Sequence, residues 1–297
     1  MYVVAGASGN TGRVVAEELL ARDQKVRVVG RQAQKLSPLV SNGAEAFEVD
    51  LQDTPTLTRA LTGAKAAYML IPPDPASPDF LAYQKRIADS IARAVADSGI
   101  PYLVFLSSVG AEHPEGTGPI KGLHYAEVTL SRIEPLDLLC VRAAYFMENF
   151  FMAMPAVQQY GFLGTDLAPD IRIPMISTGD IGRYVAQRLE KLDFTGKGFR
   201  ELLGHADLSM NEAAKIIGAA IGKPDLTYRQ LDESILRPAF AEAGISSSVT
   251  DLYLEMGQAL NSGLIKATQP RTSENTTPTS FEEFVRQQLV TAAAPVR

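Results

Sequence analysis

The sequence predicts an α/β fold in which a doubly wound parallel sheet carries a smaller, mostly helical C-terminal lobe. Short apolar runs alternate with longer segments of helical periodicity through the first half of the 297-residue chain, and this alternation predicts the sheet. The runs are apolar throughout, as expected of strands that helices cover on both faces. The rhythm changes after about residue 150, which predicts the lobe.

The predicted strands recur at a spacing that leaves room for a helix between most neighbours. They are 2–6, 25–30, 45–50, 66–71, 102–108 and 137–144. Residues 12–22 and 80–98 are the clearest helices between them, since their apolar residues repeat at intervals of three and four.

We predict a sheet domain over residues 1–150 that is completed by 176–204, with residues 151–175 and 205–297 forming the lobe. Ser209 precedes Glu212 by three residues, which is the spacing of a capping box at the start of a helix. The remaining predicted elements are a helix at 177–192, a strand at 198–204, and helices at 232–243, 247–262 and 280–290.

A glycine-rich turn lies between the first predicted strand and the first helix, in the stretch "VVAGASGNTG". Glycine lets the backbone approach a pyrophosphate closely, and the helix N-terminus offers free N–H groups to that anion. The sequence therefore predicts a dinucleotide site of the Rossmann type. The expected cofactor-binding residues of this turn are Gly6, Ser8, Gly9, Asn10, Thr11 and Gly12.

The end of the second predicted strand distinguishes the two nicotinamide dinucleotides. An NAD site usually has a carboxylate there, but this strand ends in Gly30 and Arg31, with Lys35 further on. A guanidinium suits the 2′-phosphate of NADP, so NADP(H) is the predicted cofactor. The alternative is that Arg31 is a solvated surface residue.

Other strand ends complete the predicted cofactor site. Asp50 and Leu51 follow the third strand, where a carboxylate can accept a hydrogen bond from the adenine amino group; the alternative is a turn or helix-capping aspartate. Ile71 and Pro72 follow the fourth strand, where the backbone would pass the cofactor.

Composition excludes several classes of function. The net charge of −6 argues against a nucleic-acid partner, and no apolar stretch predicts a membrane span or a signal peptide, so we expect a cytoplasmic protein. The single cysteine, Cys140, lies in an apolar run and is expected to be a buried strand residue. No His and Cys cluster has metal-ligand spacing, so no metal site is predicted. The sequence does not fix the oligomeric state, and a homodimer is compatible with it.

The motifs together resemble those of the atypical short-chain dehydrogenases, and more narrowly the NmrA-like family. "GASGNTGR" and "LSSVGA" carry the wider resemblance, whereas "AAYFMEN", "STGDIGR" and "TTPTSFEEFV" carry the narrower one. The resemblance implies a Rossmann-type domain with the nicotinamide in the cleft beside a small lobe. It also implies that Ser107 and Ser108 lie near the nicotinamide ribose. The family includes NADPH-dependent quinone reductases and NADP-sensing regulators.

The usual acid of the wider superfamily, a Tyr-x-x-x-Lys pair on one helix face, is absent: none of the ten tyrosines has a lysine four residues later. Tyr125 is nearest in position, and neighbouring His124 could polarise a substrate oxygen; we predict both as catalytic residues. His113 lies in a loop that could approach the cleft, whereas His205 follows a strand and is expected to be structural.

An aromatic stretch after the sixth predicted strand is interpreted as a wall for a flat, apolar substrate. The expected substrate residues are Tyr145, Phe146, Asn149 and Phe150. The alternative is core packing between the lobes. Two functions follow: an NADPH-dependent reductase of a quinone or related small carbonyl acceptor, or a non-catalytic NADP(H) sensor that acts through a protein partner.

Overall fold

The computed structural model describes residues 1–289. Its strands are β1 (Tyr2–Ala5), β2 (Val26–Gly30), β3 (Glu45–Glu48), β4 (Ala66–Met69), β5 (Tyr102–Ser108), β6 (Asp137–Ala143), β7 (Tyr145–Phe146), β8 (Phe162–Thr165), β9 (Ile173–Ile176), β10 (Lys197–Leu202), β11 (Ala206–Leu208) and β12 (Thr227–Gln230). Its α-helices are α1 (Asn10–Leu20), α2 (Ser37–Ser41), α3 (Thr54–Leu61), α4 (Phe80–Ser98), α5 (Ile120–Ser131), α6 (Met154–Tyr160), α7 (Thr178–Lys191), α8 (Met210–Ala220), α9 (Glu233–Glu242), α10 (Ser247–Asn261) and α11 (Phe281–Phe284).

Seven parallel strands form the main sheet in the order β3-β2-β1-β4-β5-β6-β10. The order reverses between β1 and β4, and this reversal opens the crevice in which doubly wound sheets bind ligands. The fold class predicted from the sequence is therefore confirmed. The last strand of the sheet, β10, lies within the predicted segment 198–204 except for its first residue, Lys197.

Both faces of the sheet are buried by helices. Val4 contributes to a cluster with Val15 of α1 and Val185 of α7, whereas its neighbour Val3 contributes to the cluster on the opposite face, with Leu57 of α3. Successive side chains of a strand point to opposite faces, so an unbroken apolar strand supplies both clusters. This explains why the strands are apolar along their whole length.

The C-terminal part contains strands that the sequence analysis did not predict. β11, β9 and β7 form a three-stranded sheet, and β12 pairs with β8. These strands are two to four residues long, too short for an alternating pattern to be read in the sequence. A third apolar cluster lies here, built around Met147, Phe281 and Ile217.

Helix α10 packs differently from the predicted division of the chain. Val249 and Leu252 belong to the apolar cluster of the main sheet, although the sequence analysis assigned this segment to the lobe. The segment after α10 is also tied to the sheet, since the buried carboxylate of Glu201 in β10 accepts hydrogen bonds from the Thr268 N–H and hydroxyl and from the Gln269 N–H. The domain boundaries remain a prediction.

Within residues 1–289, no helix combines the length and the apolar character that crossing a bilayer requires. No group of three or more His, Cys, Asp or Glu side chains in the same range is arranged to hold a metal ion. Cys140 is buried in β6, and burial raises the pKa of its thiol.

Candidate cofactor site

The glycine turn lies at the carboxyl end of β1, beside the reversal of strand order. Gly6 has φ of +63°, a conformation that favours glycine. A Cβ on Gly12 would approach the carbonyl oxygens of Ala5 and Gly6 to less than 3.0 Å, so only glycine fits where the helix meets the strand. α1 begins at Asn10 after Gly9, and no side chain caps it. Its first N–H groups therefore have no intrahelical partner and can donate to an anion.

The polar side chains of the turn point in different directions. Ser8 and Asn10 are exposed, and their side chains can reach a ligand. Thr11 is buried, and its hydroxyl accepts a hydrogen bond of 2.9 Å from the Tyr68 hydroxyl of β4. The Thr11 side chain therefore supports the turn from behind, which leaves its backbone N–H as the group available to a phosphate.

Two exposed cations follow β2. Arg31 comes directly after the strand, and Lys35 lies in the short 3₁₀ turn Ala33–Leu36. Neither forms an ion pair with any of the residues 1–289, although the chain has more acidic than basic residues. A pair of free cations at the end of β2 suits a ribose phosphate and is unsuited to a ribose hydroxyl alone.

Tyr83 of α4 is a residue of this region that the sequence analysis missed. Its hydroxyl donates a 3.2 Å hydrogen bond to the Pro72 carbonyl oxygen, which fixes the loop after β4. Partial burial, with the Asp74 charge nearby, raises the pKa of Tyr83, while the Arg31 charge lowers it. A single tyrosine on a helix does not stand out in a sequence. The contact of Tyr83 with the loop after β4 is therefore visible only in the fold.

Other predicted contacts line the same edge of the sheet. Asp50 is exposed, and its carboxylate accepts a 2.9 Å hydrogen bond from the Gln52 N–H, which is the turn role left open by the sequence. Leu51 is buried, whereas Ile71 and Pro72 are half-buried at the end of β4. The adenine contact of Asp50 stays a prediction.

Ser107 and Ser108 end β5, next to β4 in the sheet. Ser108 donates a 3.0 Å hydrogen bond to the Val109 carbonyl oxygen. Ser107 is 3% exposed, and its buried hydroxyl has no hydrogen-bond partner in the part of the chain that the structure describes. A buried hydroxyl without a partner is costly, and a ligand or an ordered water that accepts or donates a hydrogen bond there removes the cost. This orphan hydroxyl, the uncapped helix and the glycine turn all fit a dinucleotide.

His124 lies on α5, where the superfamily carries its acid. Its ring Nδ1 lies 2.8 Å from the Ala111 carbonyl oxygen, which can only accept, so Nδ1 carries the proton. The neutral ring then has a bare Nε2, and it can donate to a substrate oxygen only after a second proton makes it an imidazolium. Of the other histidines, His113 lies 3.5 Å from Glu112 and His205 is exposed.

Lys121 precedes Tyr125 by four residues on α5, but the two side chains do not form a Tyr–Lys acid pair. The Tyr125 hydroxyl donates a 2.8 Å hydrogen bond to Asp89 of α4, and this bond raises the pKa of the hydroxyl. Lys121 forms an ion pair of 2.6 Å with Glu255 of α10. The two side chains therefore engage different helices. The geometry gives Tyr125 a helix-joining contact and provides no support for the predicted catalytic role.

A buried arginine fixes α5 and the loop that contacts His124. Arg142 of β6 binds both oxygens of Glu127 at 3.0 and 2.7 Å, and it binds Glu112 at 3.0 Å. Its guanidinium also lies 4.0 Å from the centre of the Phe199 ring. Because Glu127 lies on α5 and Glu112 follows Ala111, this network holds both partners of the His124 hydrogen bond.

The predicted substrate wall separates into exposed and buried members. Tyr145 and Phe146 are half-buried and Asn149 is exposed, so these three can line an opening. Phe150 is 1% exposed and packs against Phe281, with ring centres 4.9 Å apart. Phe150 therefore lies in the apolar core of the C-terminal part.

The motifs that carry the family resemblance meet through hydrogen bonds. Glu148 of "YFMEN" accepts from the Thr178 N–H and hydroxyl at the start of α7. Asp180, two residues further, accepts from the Thr279 N–H at 3.0 Å and hydroxyl at 2.9 Å, and also from Arg183. The three motifs thus form one structural joint.

The fold recurs in known proteins. The model of the NmrA-like family matches residues 2–285. The chain belongs to the NmrA-like family. It is 25% identical over 276 residues to a (4-alkanoyl-5-oxo-2,5-dihydrofuran-3-yl)methyl phosphate reductase of Streptomyces griseus, with 93% of each chain covered.

Two solved structures share the fold of this family member. One is an NADPH-dependent quinone oxidoreductase of Escherichia coli complexed with NADPH, with a TM-score of 0.75, 20% identity, and 96% of this chain and 98% of that chain covered. The other is NmrA, a negative transcriptional regulator, in complex with NADP, with a TM-score of 0.66, 17% identity, and 98% and 96% covered. Enzymes and a regulator therefore share this architecture.

Proposed function

We propose that this chain is an NADPH-dependent oxidoreductase that reduces a flat, conjugated acceptor such as a quinone. The observation that carries the proposal is the orphan Ser107 hydroxyl at the same sheet edge as the uncapped start of α1. The names of its relatives support a reductase: the Streptomyces protein is a reductase, and the Escherichia coli structure is an NADPH complex of a quinone oxidoreductase.

The residues would divide the cofactor between them. The N–H groups at the start of α1 would bind the pyrophosphate, Arg31 and Lys35 the 2′-phosphate, and Ser107 the nicotinamide ribose. When bound, NADPH supplies a hydride to an acceptor held beside it. Tyr145 and Phe146 would orient a planar acceptor by contact with its face, so that proximity provides most of the rate.

The absence of a Tyr–Lys pair limits the acceptor. A quinone becomes aromatic on accepting a hydride, and the negative charge on its oxygen is delocalised. It therefore needs little help from an acid. His124 as an imidazolium would donate a hydrogen bond to that oxygen from Nε2, while Ala111 retains Nδ1. A simple aliphatic ketone has no such delocalisation and is expected to be a poor substrate.

A spectrophotometric assay tests the proposal. Purified protein is mixed with NADPH and a panel of benzoquinones and naphthoquinones, and the loss of reduced nicotinamide absorbance is followed. Arg31→Gln should weaken NADPH binding about tenfold and leave NADH binding nearly unchanged. Arg59→Gln, which removes an exposed arginine from α3, is the matched control.

The second candidate function is an NADP(H) sensor, favoured by the shared fold of the NmrA regulator bound to NADP. Tight NADP(H) binding without turnover on any acceptor would support this alternative. Failure of every nicotinamide dinucleotide to bind would contradict both functions.

A further inference from the structure

An open groove lies along α7, on the outer flank of the molecule, and none of its lining residues belongs to the candidate cofactor site. It encloses about 670 Å³, a size typical of small-molecule sites. Four arginines from three parts of the chain line it. The arginine groove is defined by Arg22, Arg183, Tyr184, Arg188, Arg200 and Thr277, and the carboxylates of Asp180 and Glu274 line it as well.

Two buried polar atoms of the arginine groove have no partner. The Thr277 hydroxyl belongs to a residue that is 7% exposed, and the Arg188 Nε–H is buried as well; neither makes a hydrogen bond within the described chain. Both can donate, but neighbouring protein atoms cover each of them, so an acceptor in the groove reaches them only when a covering side chain moves. Buried polar groups normally have a hydrogen-bond partner, so two unpaired donors beside one groove are unusual.

The ion pairs of the groove leave one arginine with an easily displaced partner. Arg22 binds Glu18 and Glu190, and Arg188 binds Asp193. Arg183 binds Asp180, which is held in the family motif joint. Arg200, by contrast, pairs at 3.1 Å with Glu274, whose side chain is 71% exposed on a loop.

We propose that the arginine groove binds the phosphoryl group of a small phosphate ester. Glu274 occupies Arg200 until the ligand arrives, and the phosphoryl oxygens then accept hydrogen bonds from Arg200, Thr277 and Arg188. Donors that approach from α7, β10 and the 273–278 loop suit a tetrahedral oxyanion with three acceptor oxygens better than a planar carboxylate with two. The ester's organic part fills the rest of the groove, since phosphate alone is far smaller than the volume available.

Arginine side-chain NMR tests this proposal at the groove itself. Glycerol 3-phosphate and inorganic phosphate are titrated separately into the protein, with and without NADP⁺, while the Arg188 Nε–H resonance is followed. That resonance is assigned by its loss in Arg188→Lys. We expect a saturable shift with glycerol 3-phosphate that persists with NADP⁺ present. Equal affinity for inorganic phosphate would contradict the part of the proposal in which the organic part of the ester fills the groove.

Single substitutions test whether ligand binding depends on the individual donors of the groove or only on the protein's overall charge. Arg200→Gln should weaken binding about tenfold and Thr277→Val about fivefold, since each loses a donor to a charged group. Glu274→Gln should strengthen binding about threefold, because the competing carboxylate is removed. Arg237→Gln, which removes a charge from α9 far along the chain, is the control and should have no effect. A resonance that does not move, or a Glu274→Gln protein that binds no better than the parent, would overturn the proposal.

Discussion

Ser107 and Ser108 are adjacent at the end of β5, yet their hydroxyls differ in what they bind. Removing the Ser107 hydroxyl breaks no hydrogen bond within residues 1–289, so Ser107→Ala should leave the free energy of unfolding nearly unchanged. If Ser107 binds the nicotinamide ribose, the same variant should weaken NADPH binding about tenfold, as measured by calorimetry.

Ser108→Ala is the matched control, because it loses the bond to the Val109 carbonyl. It should lower the free energy of unfolding by about 1 kcal/mol, and it should weaken NADPH binding less than Ser107→Ala does, because the Ser108 hydroxyl is already bonded within the chain. Unchanged NADPH affinity in Ser107→Ala would remove Ser107 from the cofactor site.

Glu148 makes a prediction about pH. Burial raises the pKa of its carboxyl above the ordinary value of 4.5, despite the hydrogen bonds from Thr178. The stabilisation that Glu148 provides is therefore complete below pH 4.5 and is lost as the pH rises through the raised pKa. The loss is about 1.4 kcal/mol for each tenfold difference between the acid dissociation constants of the folded and unfolded states.

Glu148→Gln keeps an acceptor for Thr178 and does not titrate. The free energy of unfolding of the parent protein minus that of Glu148→Gln, measured by urea denaturation, should therefore decrease as the pH rises above 4.5. Glu17→Gln, at an exposed site on α1, serves as the control. A difference that grew with pH would mean that the hydrogen bonds outweigh the burial.

At the scale of the element, the strand–turn–helix unit depends on one glycine more than on its neighbours. A Cβ on Gly12 would meet backbone oxygens, which cannot move without shifting β1 or α1, whereas a Cβ on Gly9 would lie 3.3 Å from the Gly6 oxygen. Gly12→Ala should lower the free energy of unfolding by about 2 kcal/mol and weaken NADPH binding, and Gly9→Ala should cost much less. Equal stability of the two variants by urea denaturation would contradict this.

Long elements were predictable from the sequence and short ones were not. α4 has the predicted bounds, α7 differs by one residue at each end, and the capping box of Ser209 and Glu212 is present. Such elements repeat an apolar period several times. β7 has two residues, so it shows no period, and its strand pairing with β9 depends on a partner almost thirty residues away.

The candidate site follows the same division. Glycines and strand ends follow from local chemistry, so Gly6, Gly12 and Arg31 could be selected from the sequence. The direction of a side chain on a helix depends on what packs against it. Only the fold shows that Tyr125 contacts Asp89, and that Phe150 lies in the core. The partner of a buried hydroxyl is likewise a property of the whole fold.

At the scale of the whole molecule, the family motifs join three distant parts of the chain. Asp180 lies 99 residues before Thr279, and its buried carboxylate holds the segment that leads into α11. Glu148 accepts a hydrogen bond from the Thr178 N–H at the start of α7, the helix that carries Asp180. These motifs therefore serve the assembly of the fold, and a reductase and a regulator share that fold.

Thr279→Val separates assembly from binding. It keeps the volume of the side chain and removes one hydrogen bond to the buried Asp180 carboxylate, so it should lower the free energy of unfolding by about 2 kcal/mol. Because Thr279 lies outside the candidate cofactor site, NADPH affinity of the folded protein should stay nearly unchanged. Thr62→Val removes an exposed hydroxyl that bonds only to its own helix, and it should have a much smaller effect on stability. If Thr279→Val remained as stable as the parent but lost NADPH, the motif would belong to the binding machinery, and the shared architecture would reflect a shared ligand instead of a shared joint.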